Sequence, residues 1–484
     1  MIGLFYPLSQ AIAGLALGMI PPIAIALAAN EPHAFNAFIV VAALVGFVAA
    51  AALFALRGRP REPGRMGSYL LVVVVWTVIP IIAAVPLMRA TGTDYLTALF
   101  ESVSGFTTSG ATAMASVETL GLAGVFFRAE LEWFGGLMTL VTIVGILAAT
   151  GLGGLSRSQV ALVSGGEDRL GHLLSSVRRI LIAYATITVA CIALLITSGI
   201  PAFQAVCLGL TTVSTGGFMP IDGTFADYDN AAANVVVSVF MLIGATSIVW
   251  HRMLVDGRFR IAQRHRESYW VIGIAILLSV AYMAMFAERS FDPDGAPAHW
   301  ISGGLLTGIS LVSTTGFQAH PGALTALPAT LVLFVALIGG SGLSTAGGIK
   351  FYRIGALTTL AGTELRRLIY PHSVRESRFG SVPYSLDMMK AILSSLFVAL
   401  LTVTVAMVLL ATGLPNFESA VTAAIAAFSN IGPLYAAGWV DPVAWPAYAD
   451  FDPFAKLVMI VTMILGRLEV LVVFATLNLA YWRS

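Results

Sequence analysis

The chain has 484 residues and a formal net charge of +1, and 58% of its residues are hydrophobic while only 11% are charged. Since soluble globular domains carry about 25% charged residues, this composition excludes an ordinary soluble protein and predicts an all-α polytopic membrane protein. The two cysteines, Cys191 and Cys207, lie at neither zinc-ligand nor CxxC spacing, so the sequence predicts no metal or disulfide chemistry and no cofactor in this chain.

The apolar runs divide the chain into an N-terminal hairpin and four repeats. A helix needs about 20 apolar residues to cross the hydrocarbon of a bilayer, and residues 1–57 contain two such runs, which predict a two-helix hairpin. Each repeat then contains an apolar span, a short half-hydrophobic segment that ends in a loop, and a second span. The four repeats are predicted at residues 68–150, 180–255, 268–370 and 388–482. With the hairpin they make about ten transmembrane helices.

Each repeat carries one loop in which a hydroxyl residue stands three places before a glycine. The hydroxyl residues are Thr107, Ser214, Ser313 and Ser429, and the glycines are Gly110, Gly217, Gly316 and Gly432. The segment before each loop has room for about two to three helical turns, so it is too short to span and predicts a reentrant half-helix. Four such loops in pseudo-symmetric repeats predict a ring around a central pore, where backbone oxygens replace the water around a cation.

The distribution of basic residues predicts the orientation of the chain. Clusters between alternate spans hold, together with Arg483, 21 of the 26 lysines and arginines. The positive-inside rule places these loops and both termini in the cytoplasm, and it places the four hydroxyl-glycine loops on the external side. Topology already explains the basic loops, so nucleic-acid binding is not supported.

Two features interrupt the spans on the inner side. Residues 339–348 contain five glycines, and because each glycine weakens a helix by about 1 kcal/mol, this segment is predicted to be unwound, either as a packing kink or as an obstruction of the pore. Arg467 is interpreted as the one basic residue deep in a span, and it is either one half of an interhelical ion pair or a functional residue. Glu469 is two residues away and would face another side of the helix.

The chain resembles the Trk/Ktr/HKT superfamily of potassium transporters, and within it the TrkH-type subunit of bacterial Trk systems, over nearly its whole length. The matching stretches are SGFTTSGAT at 104–112, STGGF at 214–218, STTGF at 313–317, SNIGP at 429–433, GGSGLSTAGGIK at 339–350 and GRLE at 466–469. The resemblance implies a single-subunit pore that takes up potassium across the bacterial inner (plasma) membrane. A serine in place of the first filter glycine resembles the sodium-preferring plant members, and Gly110 at that position favours potassium.

The resemblance also implies roles for individual residues. Potassium, the transported ligand, would be held by backbone oxygens before each glycine, at Thr108, Ser109, Thr215, Gly216, Thr314, Thr315, Asn430 and Ile431. The fourth loop is the least regular of the set. The segment with Gly339, Gly340, Gly342, Gly347 and Gly348 would be an intramembrane gating loop, with Arg467 as an electrostatic barrier beside the pore. Proteins of this type usually form homodimers within membrane lipid and work with a cytosolic TrkA-like ring of nucleotide-binding subunits.

The remaining glutamates, histidines and tryptophans of interest are expected to have structural roles or to be solvated, and not to bind ligands. Glu101 and Glu418 are expected to accept backbone amides or to lie at the external mouth, and Glu130 and Glu132 are expected at the outer interface. The histidines at 251, 265 and 372 are expected to be solvated in cytosolic loops, and Trp270 and Trp482 to be cytoplasmic-side anchors. The alternative function is a sodium- or proton-coupled cation symporter of the same architecture. An enzyme is not expected, because no aspartate lies within a span.

Overall fold

The computed structural model describes residues 2–58, 65–143, 169–289, 297–370, 378–379, 382–383, 386–438, 445–468, 472–473 and 476. Helices and the loops between them make up nearly all of the described chain. Its only strands are a pair of two-residue antiparallel ones, β1 at Arg378–Phe379 and β2 at Val382–Pro383. The predicted all-α membrane fold is therefore confirmed. The end of repeat 1 at 144–150 and most of 469–482 in repeat 4 lie outside the described residues.

The N-terminal hairpin consists of a broken first helix and a straight second one. Helices α1 (Ile2–Gly18) and α2 (Ile20–Ala28) together form one apolar segment, and two consecutive prolines begin α2. Helix α3 (Pro32–Ala55) returns beside them. The hairpin packs on the first repeat through a buried cluster in which Phe38 meets Phe127 edge to face, with ring centroids 5.0 Å apart.

Each of the four predicted repeats contains a long helix, a short helix that is called the pore helix after its predicted place, and a further helix. The three contact one another in sequence order. The long helices are α4 (Arg65–Thr91), α7 (Arg169–Thr197), α12 (Arg266–Arg289) and α16 (Leu386–Leu410). The pore helices are α5 (Tyr95–Phe106), α8 (Ala202–Ser214), α13 (Pro297–Ser313) and α17 (Phe417–Phe428). The second helices begin with α6 (Gly121–Thr142), α9 (Ala231–Ala245), α14 (Ala329–Ile338) and α18 (Pro453–Arg467).

Two of the second helices are broken. In repeat 2, α9 is followed by α10 (Ile248–Val255) after a bend of 102°, which the sequence did not suggest. In repeat 3, α14 ends at Ile338 and α15 (Phe351–Ile369) begins after twelve intervening residues, which include the glycine-rich segment. A short helix α11 (Phe259–Ala262) links α10 to repeat 3.

Six helices of the described chain are long and apolar enough to span a membrane, or seven if α9 and α10 count as one span. The second helices of repeats 1, 3 and 4 do not meet that criterion. Helix α6 carries Arg128, Glu130 and Glu132, α14 stops after ten residues, and α18 has fifteen residues before the described range ends. The count of about ten spans therefore stays a prediction.

Candidate functional site

All four pore helices end in the same turn. The residue two places before each glycine is left-handed, with φ of 55° at Thr108, 55° at Thr215, 60° at Thr314 and 53° at Asn430. The next N–H donates back to the carbonyl five residues earlier, as from Ser109 to Ser104 at 2.8 Å and from Ile431 to Ala426 at 2.9 Å. Gly216 and Thr315 make the equivalent bonds to Thr211 and Ser310. This is the Schellman arrangement, which usually places glycine at the left-handed position.

A threonine at that position carries a conformational cost. The left-handed conformation costs an L-residue about 1–2 kcal/mol, and such strain persists where the surroundings determine the backbone. The Thr215 hydroxyl donates to the Ser214 carbonyl at 2.6 Å and the Thr314 hydroxyl to the Ser313 carbonyl at 2.7 Å. The Asn430 amide donates to the Ser109 hydroxyl at 2.9 Å and to the Met463 carbonyl at 3.1 Å. Side-chain hydrogen bonds, local or between loops, thus stabilise the turns at Thr215, Thr314 and Asn430, whereas the Thr108 hydroxyl is buried without a hydrogen-bond partner among the described residues.

The four loops contact one another in a closed cycle. A Cβ on Gly110 would lie 2.5 Å from the Gly216 carbonyl oxygen, and one on Gly217 would overlap the Thr315 carbonyl oxygen. A Cβ on Gly316 would lie 2.9 Å from Pro433, and the N–H of Gly432 donates to the Ser109 carbonyl at 2.6 Å. Loop 1 therefore touches loop 2, loop 2 touches loop 3, loop 3 touches loop 4, and loop 4 returns to loop 1. The glycines allow the backbones to approach this closely.

The hydroxyl three places before the filter glycine bonds to the backbone of the pore helix in three of the four loops. Thr107 donates to the Val103 carbonyl at 2.7 Å, Ser214 to Leu210 at 2.9 Å, and Ser313 to Ser310 at 3.1 Å. The Ser429 hydroxyl is buried without a hydrogen-bond partner among the described residues. The hydroxyls therefore close the last turn of pore helices 1 to 3, while the fourth differs.

The glycine-rich segment lies against three of the four loops. The Thr345 hydroxyl donates to the Gly244 carbonyl at 3.0 Å, and it accepts a hydrogen bond from the Thr215 hydroxyl of loop 2 at 3.3 Å. The N–H of Gly347 donates to the Thr314 hydroxyl in loop 3 at 2.7 Å. A Cβ on Gly347 would overlap the Ser429 carbonyl of loop 4. The segment therefore packs directly on the left-handed turns that begin the loops.

Arg467 connects repeat 4 to repeat 1. Its Nε donates to the Thr139 hydroxyl at 2.8 Å, and its two terminal nitrogens are buried without a hydrogen-bond partner among the described residues. Glu469 lies outside the described residues. The guanidinium is therefore fixed by one contact and otherwise faces its surroundings with unsatisfied donors.

Comparison with known proteins now identifies the family. The family model of TrkH, a cation transport protein, matches residues 33–272 and 301–480. The chain belongs to the TrkH family. The Trk system potassium uptake protein TrkH of Salmonella typhimurium is 30% identical over 438 residues, and the match covers 88% of each chain. The TrkH of Vibrio parahaemolyticus is 30% identical over 456 residues, covering 90% of each. The crystal structure of the potassium transporter TrkH from Vibrio parahaemolyticus matches with a TM-score of 0.84 at 26% identity, covering 99% of both chains.

This TrkH-family chain holds a further buried arginine, Arg128, which the interpretation of Arg467 as the one basic residue deep in a span did not take into account. Arg128 in α6 pairs with Glu101 in pore helix 1 through Nε and Oε2 at 2.9 Å, and their side chains are 2% and 0% exposed. The Arg128 guanidinium also lies 3.9 Å from the ring centroid of Phe218, which follows the second filter glycine. Glu101 accepts the amides of Ala113 and Met114, as its structural interpretation predicted.

Glu130 and Glu132, expected at the outer interface from the sequence, are enclosed by protein. Both are buried, and Glu132 is 0% exposed. Its carboxylate accepts the Thr211 hydroxyl and the N–H of Phe218, the latter at 3.1 Å. It therefore supports loop 2 from behind, between the pore helix and the filter glycine. The signal that could have found these residues is the run of three charged side chains within the apolar α6, because charge in a span is a functional hypothesis by default.

The sequence also missed glycines on the second helices that meet the pore-helix carbonyls. A Cβ on Gly135 would overlap the Phe106 oxygen, and one on Gly466 would overlap the Phe428 oxygen. A Cβ on Gly244 would lie 3.0 Å from the Val213 oxygen. All three carbonyls stand four places before the filter glycine, so the second helices approach three of the turns in the same way. Small residues that permit close helix contact could have signalled this.

The histidine interpretation is wrong in placing His251 in a loop, because His251 lies in helix α10, whereas His265 does lie in the loop between α11 and α12. His251 is half-buried, with Nε2 lying 2.8 Å from the Thr246 hydroxyl oxygen. His265 is half-buried too, and burial lowers the pKa of its imidazole below the ordinary value. His372 and Trp482 lie outside the described residues. Glu418 is exposed at the start of pore helix 4, and Trp270 is exposed on α12.

Proposed function

We propose that this TrkH-family chain takes up potassium across the bacterial inner membrane through a pore whose selectivity filter is the ring of four loops. One observation carries the proposal. Four loops separated by about a hundred residues share one rare backbone turn at Thr108, Thr215, Thr314 and Asn430, and each loop contacts the next. The relatives named as Trk system potassium uptake proteins add support for potassium as the ion.

Potassium in this proposal is bound by backbone oxygens rather than by carboxylates. The binding positions are Thr108, Ser109, Thr215, Gly216, Thr314, Thr315, Asn430 and Ile431, which are buried in the ring. Every pore helix ends at its loop, and a helix C-terminus carries about half a negative charge that favours a cation. The filter glycines leave room for four backbones to meet, which a carbonyl cage around a dehydrated ion requires.

The gate in this proposal is the segment 339–348 with Arg467. Its support is the contact of Thr345 and Gly347 with the turns of loops 2, 3 and 4, because a segment in that place would have to move before an ion leaves the filter. The terminal guanidinium nitrogens of Arg467 have no hydrogen-bond partner among the described residues. This supports a barrier to cations, because a positive charge that no acceptor offsets repels a cation nearby.

The proposed partners follow from the family. A chain that belongs to a Trk system is part of a multi-component system, and we expect a homodimer in membrane lipid with a cytosolic TrkA-like nucleotide-binding subunit. The proposed topology has both termini in the cytoplasm.

Rubidium and sodium uptake into proteoliposomes tests the filter. Gly110→Ser adds a Cβ 2.5 Å from the Gly216 oxygen at a φ of +70°, so it must displace loop 2, and we expect the potassium-to-sodium selectivity to fall. Gly92→Ser is the matched control, because Gly92 has the same φ of +70° but nothing within 4 Å of its Cβ position. Equal selectivity in Gly110→Ser and Gly92→Ser would refute the filter. Varying pH and membrane potential in the same vesicles tests the coupled-symporter alternative.

A further inference from the structure

The fourth loop is supported by a buried aromatic cluster. The cluster consists of Phe100, Tyr435, Trp445, Tyr448 and Phe451. Tyr448 is at its centre, with ring centroids 4.9 Å from Tyr435, 5.3 Å from Phe451 and 5.7 Å from Phe100. Its side chain is 6% exposed. Packing on three sides holds the ring in one orientation, and therefore holds its hydroxyl at one place.

That hydroxyl bonds to the filter glycine of the fourth loop. The Tyr448 hydroxyl donates to the Gly432 carbonyl at 2.9 Å. A phenol hydroxyl at this distance makes an ordinary, well-formed hydrogen bond. One lone pair of the outermost carbonyl of loop 4 is therefore directed at the aromatic cluster, behind the loop.

The backbone of Gly432 also differs from that of the other filter glycines. Gly110, Gly217 and Gly316 have φ of 70°, 106° and 86°. Gly432 instead begins a 3-10 helix, Gly432–Ala437, which has Pro433 in its first turn. The φ of a 3-10 helix is negative, and its carbonyls run along the helix axis. Two independent features, the backbone turn and the tyrosine hydroxyl, thus orient this one carbonyl differently from its three counterparts.

We propose that the carbonyls of the four filter glycines form a further, outermost ion site, and that Tyr448 is a positioning residue whose hydroxyl holds the Gly432 carbonyl away from the pore axis. This outermost site then has three carbonyls instead of four. This proposal rests on the proposed function of the loops as a potassium filter. A site with three carbonyls binds a dehydrated ion more weakly than a site with four, and weak binding at an outer site allows ions to enter and leave. The asymmetry of the fourth loop is then a property of the filter itself.

Tyr448→Phe tests this with a change of one oxygen atom. Without the hydroxyl, the Gly432 carbonyl is free to turn toward the ion, so the KM for rubidium uptake should fall and the potassium-to-sodium selectivity should rise. A neutral hydrogen bond contributes about 0.5–1.5 kcal/mol, which corresponds to a change of about two- to tenfold in KM. Maximal uptake rate should fall or stay unchanged, because a more tightly held ion leaves more slowly.

Tyr435→Phe is the matched control. It removes a hydroxyl from the same cluster, but the Tyr435 hydroxyl is buried without a hydrogen-bond partner among the described residues, so KM and selectivity should stay at the wild-type values. Thermal unfolding of both variants in detergent checks the fold. If the Tyr448→Phe protein does not fold, Tyr448→Met also lacks the donor and fills the space with a flexible side chain, and the same fall in KM is expected.

The outcomes separate this proposal from the proposed function. A lower KM with higher selectivity in Tyr448→Phe, and neither change in Tyr435→Phe, supports the role of Tyr448. A KM equal to or above the wild-type value in folded Tyr448→Phe overturns it. If Gly110→Ser changes selectivity while Tyr448→Phe does not, the filter stands and only this inference fails. If wild-type protein shows no selective rubidium uptake, the filter itself fails.

Discussion

The buried pair Arg128–Glu101 should be one of the strongest single determinants of stability in repeat 1. Removing one partner of a buried ion pair costs about 3–5 kcal/mol because the other charge is left uncompensated. Arg128→Met leaves Glu101 buried, but the carboxylate keeps the Thr112 hydroxyl at 2.8 Å and the Ala113 amide at 2.6 Å. We therefore expect the low end of the range, about 3 kcal/mol. The lost contact with the Phe218 ring adds to this, since a desolvated cation–π contact contributes about 2 kcal/mol.

A double-mutant cycle measures the interaction. Glu101→Gln keeps an oxygen for the backbone amides and removes the charge, so the double variant Glu101→Gln/Arg128→Met should be more stable than Arg128→Met alone. The assay is unfolding in mixed micelles followed by tryptophan fluorescence. The control is Arg367→Met, which breaks an exposed pair with Glu364 at 2.8 Å, and exposed pairs contribute only about 0–1 kcal/mol. If Arg128→Met destabilises no more than Arg367→Met, or if the two single changes simply add, the buried-pair argument is wrong.

Two further predictions concern the proposed gate. Thr345→Val removes the hydrogen bonds that Thr345 makes with Gly244 and Thr215 and keeps the side-chain volume. These bonds contribute about 1 kcal/mol to holding the segment against the loops, so their loss should raise rubidium uptake about fivefold. The control is Thr402→Val on α16, which removes only a hydrogen bond within its own helix. Unchanged uptake in Thr345→Val would argue against a role of these hydrogen bonds in holding the gate closed. Arg467→Ala should raise uptake, because it removes a cation beside the proposed pore. Thr139→Val keeps that charge and removes only its anchor, so its effect should be smaller; folded Arg467→Ala with lower uptake and unaltered KM would instead indicate a structural role.

The sequence alone supports much of the architecture. Hydropathy is a property of each segment by itself, so the apolar runs predict the long helices α3, α4, α7, α12 and α16 without knowledge of their neighbours. A hydroxyl residue three places before a glycine likewise identifies the four loops from sequence alone. The irregular fourth loop is visible too, because Asn430, Ile431 and Pro433 depart from its counterparts.

The charged residues of α6 show where such reasoning stops. From sequence, Glu132 is expected at the outer interface and Arg128 receives no interpretation, because their partners Glu101, Phe218 and Thr211 are on other elements, up to 86 residues away along the chain. Only packing decides that α6 turns these side chains toward loops 1 and 2. The same holds for the bend of 102° after α9, since the backbone N–H of Ile248 there bonds to the Leu343 carbonyl of another repeat at 2.9 Å.

The sequence by itself therefore determined that this is a helical membrane protein with four related loops, because composition, span length and loop spacing are local quantities. Only the tertiary structure decided that Thr108, Thr215, Thr314 and Asn430 take one left-handed turn, and that the Gly432 carbonyl is bonded to Tyr448. Threonine rarely takes that turn on local preference. At Thr215, Thr314 and Asn430, neighbouring loops, helix α18 and the glycine-rich segment supply hydrogen bonds from far along the chain. No local pattern records which distant partner a residue will meet.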